Sequence, residues 1–292
     1  MTHILDGKKI AQKLKDNLKI EIENIKLKFN SVPGLAVVQV GSVAASSVYV
    51  KAKTKAAQEV GINVLDHHLE ENTNQSELIN LINQLNNNKD VNGILIQLPL
   101  PKTINEEVVL NSIIPEKDAD GFHPLNVGKL SISSKNDENI MIPCTPYGCL
   151  LLLRELNINL AGKNAVVIGR SNIVGKPMAQ LLLKESCTVT TVHSKTLNIK
   201  KICKNADILI AAIGKPEFVN KDWVKEGAII IDVGINRIKI NEEKSKLVGD
   251  VLFSDVENKV SAISPVPGGV GPMTIACLLR NTTTAHKLKY KY

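Results

Sequence analysis

The chain has 292 residues, a formal net charge of +7, 43% hydrophobic residues and only 3% aromatic ones. That length allows two domains, whose cores must be built mainly from Ile, Leu, Val and Ala. No apolar run nears the ~18 residues of a membrane span, and dispersed lysines without interleaved aromatics argue against a nucleic-acid stripe.

The five cysteines, Cys144, Cys149, Cys187, Cys203 and Cys277, include no Cys-x-x-Cys pair and read as free thiols. The opening Met1-Thr2-His3-Ile4-Leu5-Asp6-Gly7 has no signal-peptide apolar region and meets an acid early, so a cytoplasmic protein is expected.

Asp6 is placed to cap a first helix, in which Ile10, Leu14, Leu18, Ile22 and Ile25 recur at helical spacing. Pro33-Gly34 is a turn, and Leu35–Val40 is a strand ending at Gly41. The next helix spans the stretch from Ser46, a suitable N-cap, to a stop at Gly61. Tyr49 and Lys53 are four apart and share a face. Ala52, Ala56, Ala57 and Val60 form the packing side, and Lys51 and Lys55 fall elsewhere. This helix starts at the carboxyl end of a strand, where open α/β sheets place their ligands.

Ile62–Leu69 reads as a strand, and Asn74 with Glu77 forms a capping box for a helix through Leu85. Val91–Leu98 is a buried-type strand that runs into Gln97 and two prolines unable to extend the ladder. Asn105–Ser112 is a short helix. Residues 113–139 read as irregular, and long loops in compact domains are often functional. His67, His68 and His123 have no third metal ligand at suitable spacing. Cys144, between prolines, lacks the paired base of a nucleophile.

A helix at Cys149–Leu156 leads into a second strand–helix series. The strand 164–168 is followed by Gly169-Arg170-Ser171-Asn172-Ile173-Val174-Gly175-Lys176-Pro177 and a helix over 178–185, the layout of a phosphate-binding turn. It is neither the usual dinucleotide fingerprint nor a P-loop, since five residues separate the glycines and Pro177 stands where a metal-holding hydroxyl would be. The next strand, 188–192, ends in His193-Ser194-Lys195-Thr196. An NAD site usually has an acid here for the ribose hydroxyl. This chain offers a hydroxyl and a lysine, with Arg170 nearby in sequence, a set that favours NADP. Strands over 208–212 and 228–233 end in turns at Gly214 and Gly234-Ile235-Asn236. Residues 237–248 read as a ribbon. The Gly/Pro cluster 265–274 lets backbone approach a ligand closely and leads into a C-terminal helix.

Ser46-x-x-Tyr49-Val50-x-x-Lys53, Gln97-Leu98-Pro99-Leu100-Pro101 and Lys117-Asp118-Ala119-Asp120-Gly121-Phe122-His123-Pro124 resemble the bifunctional methylenetetrahydrofolate dehydrogenase/methenyltetrahydrofolate cyclohydrolase family. The later motifs, Gly249-Asp250-Val251 among them, extend the likeness across nearly the whole chain. The resemblance implies an α/β protein of two domains. An N-terminal parallel α/β catalytic domain would comprise 1–142 plus 270–292, the C-terminal helix returning to it. A Rossmann-like NADP-binding domain would comprise 143–269.

The implied chemistry is hydride transfer from 5,10-methylenetetrahydrofolate to NADP⁺, then opening of the methenyl cation by water to 10-formyltetrahydrofolate, with no metal. The nicotinamide must meet the one-carbon bridge, so a cleft between the domains is the expected site. Carried over, the catalytic residues are Lys53, Tyr49, Gln97 and Asp120. Ile96, Leu98, Pro267, Gly268 and Gly269 join them on the substrate side. The cofactor would be held by Gly169, Arg170, Ser171, Ile173, Val174, Ser194, Gly214, Ile235 and Thr274. Tetrahydrofolate derivatives are the implied partners and a homodimer the implied assembly, with neither nucleic acid nor membrane.

A free lysine titrates near 10.4. To act as a base near neutrality Lys53 must come down by about 3, a difference worth roughly 4 kcal/mol. A neutral Gln97 could orient it without fixing it as a cation, leaving Asp120 to bind the amidine-like edge of the pterin. Ala44, where the family commonly has proline, and Tyr147, where a basic residue is frequent, depart from the pattern. Two other readings compete: an NADP dehydrogenase of another small substrate, of shikimate type, and a basic RNA-binding module. The Tyr49, Lys53, Gln97 and Asp120 set speaks against the first, and a salt-dependent RNA shift without NADP binding would favour the second.

Overall fold

The computed structural model describes residues 2–41, 44–134, 137, 139–241 and 245–290, without the side chains of 44–48. Its elements begin with β1 (His3–Ile4), α1 (Gly7–Phe29), β2 (Gly34–Val40), α2 (Ala44–Glu59), β3 (Asn63–Leu69), α3 (Gln75–Asn87) and β4 (Gly93–Ile96). They continue with α4 (Glu106–Asn111), α5 (Pro124–Ile132), α6 (Cys144–Arg154), β5 (Asn164–Ile168), α7 (Gly175–Lys184), β6 (Thr188–Val192), α8 (Ile199–Cys203) and β7 (Ile208–Ala211). The last are β8 (Ile229–Asp232), β9 (Asn236–Lys239), β10 (Ser245–Val248), α9 (Phe253–Val256), β11 (Ala262–Ile263) and α10 (Val270–Tyr290).

Two compact units result, one of Gln12–Cys144 with Ile275–Tyr292, the other of Met1–Ala11 with Thr145–Thr274. This differs from the expected 1–142 plus 270–292 chiefly in the first eleven residues. His3 and Ile4 pair in parallel with Ala262 and Ile263, which draws the N-terminus into the second unit's sheet.

The first unit has a three-stranded sheet in the order β3-β2-β4. Both pairings are parallel. All seven residues of the central strand β2 are buried, Gln39 among them, as a strand packed on both faces requires. The capping box of α3 is present: Asn74 accepts from the Glu77 N–H at 3.0 Å, and the Asn74 N–H reaches the Glu77 carboxylate at 3.1 Å. Asp6 caps α1 by accepting from the Lys8 and Lys9 N–H groups.

β4 is shorter than expected. The Gln97 N–H still bonds Val38 O at 2.8 Å, but the chain leaves the ladder at Leu98 because Pro99 and Pro101 carry no N–H. Within 113–139, read as irregular, the structure forms α5. Pro124 stands in its first turn, and His123 Nδ1 accepts the Leu125 N–H at 3.2 Å. From Ile275 onward α10 belongs to this unit, as the expected return of the C-terminal helix requires. There His286 Nε2 lies 3.0 Å from Ser31 Oγ.

The second unit has a six-stranded sheet in the order β1-β11-β8-β7-β5-β6. Every pairing in it is parallel. Strand order reverses at β5, flanked by β6 and β7, so the crevice at its carboxyl end is the topological switch point. The expected ribbon forms as the antiparallel pair β9–β10. The two-residue strands β1 and β11 and the five-residue α8 escaped sequence reading, being too short to show a period.

Arg154 donates through Nε and Nη2 to Glu185 Oε1 at 3.1 and 2.5 Å, and Glu185 is only 4% exposed. Arg154→Met takes the guanidinium from a buried carboxylate and is expected to cost ~3 kcal/mol. A urea midpoint equal to that of the wild type would show that the pair contributes nothing. Among the described residues no helix is long and apolar enough to cross a membrane.

Candidate active site

In the three-stranded unit, α2 begins at Ala44, ahead of the expected cap at Ser46. The Ser46 and Ala44 side chains lie outside the described residues. The helix ends as anticipated. Gly61 takes φ +92°, while its N–H and that of Ile62 return to Gln58 O and Ala57 O at 3.1 and 3.0 Å. The buried face is Val50, Ala56, Ala57 and Val60. Ala52, expected there, is exposed, because the packing face is turned toward Val50.

Lys53 is 9% exposed. Its ammonium donates to Gln97 Oε1 at 3.0 Å, and Gln97 Nε2 donates to Leu98 O at 2.7 Å. The second bond aims the amide oxygen at the lysine. Tyr49, one turn before Lys53, is 37% exposed. Partial burial pushes its phenol above the ordinary value. Ile96 is 1% exposed and sits in the hydrophobic core. β4 turns its side chain into the sheet's packing face. Leu98 is partly buried against the same core.

Asp120 comes from the loop before α5, which runs beside β4 through a parallel bridge of Asp118 to Ile94, and Asp118 builds that loop. Asp118 is 3% exposed. Its carboxylate accepts from the Gly121 N–H at 3.1 Å, the His123 N–H at 2.8 Å and Asn126 Nδ2 at 2.9 Å. Burial raises the Asp118 carboxyl, and these donors pull it back. Burial also lifts Asp120, to about 6, while Lys53 draws it down and Asp118 adds to the rise. Asp120 thus feels the Lys53 charge, yet among the described residues the two form no ion pair.

Cys144 is buried, with Sγ 3.3 Å from Ala119 O, and burial first, then the Asp120 charge, holds its thiol well above the usual range. It stays protonated and is no nucleophile. His67 and His68 point to opposite faces of β3, and His123 is occupied as a helix cap.

In the six-stranded unit, the glycine turn follows β5 at the switch point. Gly169 has φ +120°, and a Cβ there would lie 2.2 Å from Ala212 O. A Cβ on Gly175 would lie 2.4 Å from Gly169 O, so the turn folds onto the start of α7 only without side chains. Ser171 Oγ accepts the Val174 and Gly175 N–H groups at 3.1 and 3.3 Å. Arg170 and Ile173 are exposed, and Val174 is half-buried.

The Gly169 N–H bonds Val192 O at 2.9 Å, which sets the glycine turn beside the His193–Thr196 turn. There Ser194 and Lys195 are exposed, and the Thr196 hydroxyl accepts the His193 N–H at 2.9 Å. Gly214 and the exposed Ile235 follow β7 and β8. The predicted cofactor residues from Gly169 to Ile235 therefore gather at the carboxyl ends of four strands of one sheet. Thr274 lies on α10, its hydroxyl 3.1 Å from that of Thr145. Pro267, Gly268 and Gly269 belong to this unit too, in the turn before α10, where Gly268 O accepts the Lys8 N–H at 3.2 Å.

Residues 5–120 match the model of the tetrahydrofolate dehydrogenase/cyclohydrolase catalytic domain, and residues 143–290 match that of the NAD(P)-binding domain of the same family. A bifunctional protein FolD from Acetivibrio thermocellus is 54% identical over 288 residues, covering 99% of this chain and 98% of the relative. The chain belongs to the tetrahydrofolate dehydrogenase/cyclohydrolase family.

Among solved structures, the bifunctional FolD enzyme of Campylobacter jejuni superposes with a TM-score of 0.93 at 48% identity, covering 99% of this chain and all (100%) of that one. The Trypanosoma brucei family member, solved with NADP cofactor and inhibitor, gives 0.94 at 37% identity, covering 100% and 99%. Shikimate dehydrogenase from Aquifex aeolicus, at 0.51 and 13% identity over 89% of this chain and 92% of that one, shares the fold alone.

Around the family's motif residues lie supports that sequence reading missed. Lys117, in the same motif as Asp120, donates to the carbonyls of Leu85, Asn86 and Asn88 at 3.0, 2.7 and 2.7 Å, closing the end of α3. Asn281 on α10 is wholly buried (0% exposed), and its amide donates to Ala119 O and Ile142 O at 2.9 and 2.8 Å. Of the two family departures, Tyr147 is half-buried on α6.

Proposed function

We propose that the chain catalyses NADP-dependent oxidation of 5,10-methylenetetrahydrofolate to the methenyl form, and then its hydrolysis to 10-formyltetrahydrofolate. The observation that carries this reading is a buried amine held by a neutral amide, Lys53 on Gln97 at 3.0 Å, in a chain of this family.

NADP⁺, when bound, supplies the hydride acceptor. The turn suits it: Gly169 and Gly175 let the backbone close onto the start of α7, Ser171 secures that start, and Arg170, Ser171 and Ile173 stay exposed at the carboxyl end of β5. Gly169, Ser171, Ile173 and Val174 would hold the diphosphate side, with Gly214, Ile235 and Thr274 along the rest. Arg170 and Ser194 would hold the 2′-phosphate, with Lys195 beside them and no acid to repel it.

Lys53 takes a proton from the water that adds to the methenyl carbon. The bond from that carbon to N5 then opens, its electron pair staying on N5, which takes up a proton as the hydroxyl gives up its own and becomes the formyl carbonyl; the proton held by Lys53 passes to solvent. Gln97 aims the amine without pinning its charge, as a carboxylate in its place would. Asp120 accepts from the pterin's amino and ring N–H groups, and Tyr49 lies beside the aryl ring. The backbone at Leu98 and the Pro267-Gly268-Gly269 turn complete the substrate contacts. The reading extends to a cytoplasmic homodimer whose formyl product feeds purine biosynthesis. Sedimentation equilibrium giving only the monomer mass would remove the dimer.

Two assays test the reaction. One follows reduced nicotinamide on adding methylene substrate and NADP⁺, and the other follows loss of methenyl absorbance. A protein inactive in both would end the proposal. Arg170→Ala is expected to raise the KM for NADP⁺ by ~10–100-fold, the worth of a charge-assisted bond, and to leave that for NAD⁺ within about twofold. Equal changes for both would remove the 2′-phosphate role.

A further inference from the structure

Two buried carboxylates of the six-stranded unit have no part in the reactions above. Asp250 is 0% exposed and Asp232 3%. Among the described residues neither has an ion-pair partner, so a reason is needed for their burial. Asp250 Oδ2 accepts the N–H groups of Ile213 and Gly214 at 2.7 and 3.0 Å. Its Oδ1 accepts the Lys215 N–H and Asn236 Nδ2, both at 2.9 Å. Asp232 holds Asp250 in turn, with Oδ1 accepting the N–H groups of Gly234 and Asp250 at 3.0 and 2.8 Å and Oδ2 that of Val251 at 3.0 Å.

The two interlock through missing side chains. A Cβ on Gly249 would stand 1.7 Å from Asp232 Oδ2, and one on Gly234 would stand 2.3 Å from Asp250 Oδ1. Burial lifts Asp232 to about 7, against the pull of the Asp250 and Val251 N–H groups, which eases the repulsion between the neighbours.

The turns tied together this way follow β7 and β8, adjacent parallel strands, at the sheet edge where a dinucleotide lies. We infer that Asp250 is a positioning residue of the cofactor site, its carboxylate fixing the Ile213–Lys215 turn directly and the Ile235 turn through Asn236. The inference rests on the NADP reading above. Its logic is one of acceptor count: four N–H groups converge on two oxygens. An asparagine offers one oxygen, and its NH₂ would face two donors.

The test is titration of the full-length protein with NADP⁺, followed by calorimetry, for wild type, Asp250→Asn and Asn236→Ala. Asp250→Asn is expected to weaken binding by at least ~30-fold and Asn236→Ala by ~10-fold, the latter being one bond to a charged group. Hydrogen exchange should quicken at the amides of Ile213, Gly214 and Lys215. In the dehydrogenase assay the KM for NADP⁺ should rise far more than kcat falls. Hydrolysis of the methenyl substrate, which needs no dinucleotide, should keep its rate.

Wild type that binds NADP⁺ beside variants that bind it equally well would overturn the inference alone. Loss of hydrolysis in step with binding would also overturn it, since it would mark a general packing role. Wild type that binds no NADP⁺ would sink the functional reading and this inference with it. Should Asp250→Asn fail to fold, Asn236→Ala decides, because it leaves both carboxylates in place.

Discussion

Lys53→Met is expected to abolish methenyl hydrolysis, with a fall of ~100- to 10,000-fold, the range a positioned proton-transfer group supplies. Methionine keeps an unbranched chain of similar length, so the packing of α2 around a side chain only 9% exposed should survive. What goes is the amine and its bond to Gln97. A stopped-flow trace of methenyl absorbance checks the loss. Calorimetric binding of a folate analogue separates it from loss of affinity. Hydrolysis at the wild-type rate would remove Lys53 from its assigned role. Gln97→Glu makes a sharper companion. A carboxylate about one hydrogen bond from the amine favours its charged form, so the rate should rise only at higher pH than in wild type.

How far the sequence disclosed this arrangement depended on the range of each interaction. β5 and β6 were read to the residue, because short runs rich in β-branched residues between turn signals carry their own signal. The α3 capping box was legible for the same reason, both partners lying within four residues. The supports of Asp120 were not. Asn281 reaches Ala119 across 162 residues, and no local pattern marks a buried amide as a clamp. Asp118 looked like one more acid in a motif until its three donors were placed around it.

The pairing of β1 with β11 was not legible, because two residues suffice to join a sheet but not to show alternation. α5 was missed because Pro124 and Gly128 read as breakers, although proline in a first helical turn is a starting signal. The glycine turn was found by layout, but only the contacts that a Cβ would make show why Gly169 and Gly175 must be glycine.

Asp120→Asn is expected to raise the KM for the folate by ~30- to 1,000-fold at pH 7.5, the range for losing one side of a buried charge-assisted pair. The pH dependence gives the signature. Burial places the wild-type carboxyl at about 6. Only the carboxylate can accept from two N–H groups at once, so the wild-type KM should climb about tenfold for each pH unit below 6. The Asn variant, neutral throughout, should show no such climb.

Stability should move the other way. The folded-state pKa, about 6, lies above the ordinary carboxyl value of 3.8, so the native protein keeps a proton that the unfolded chain releases between about pH 4 and pH 6. Asp120 therefore costs stability as pH rises through that window, by up to about 3 kcal/mol. Asp120→Asn should be the more stable protein in urea at pH 7, and its advantage should vanish near pH 4. A variant with unchanged KM, or one whose stability advantage grew in acid, would show that this carboxylate neither holds the pterin nor carries the desolvation its position requires.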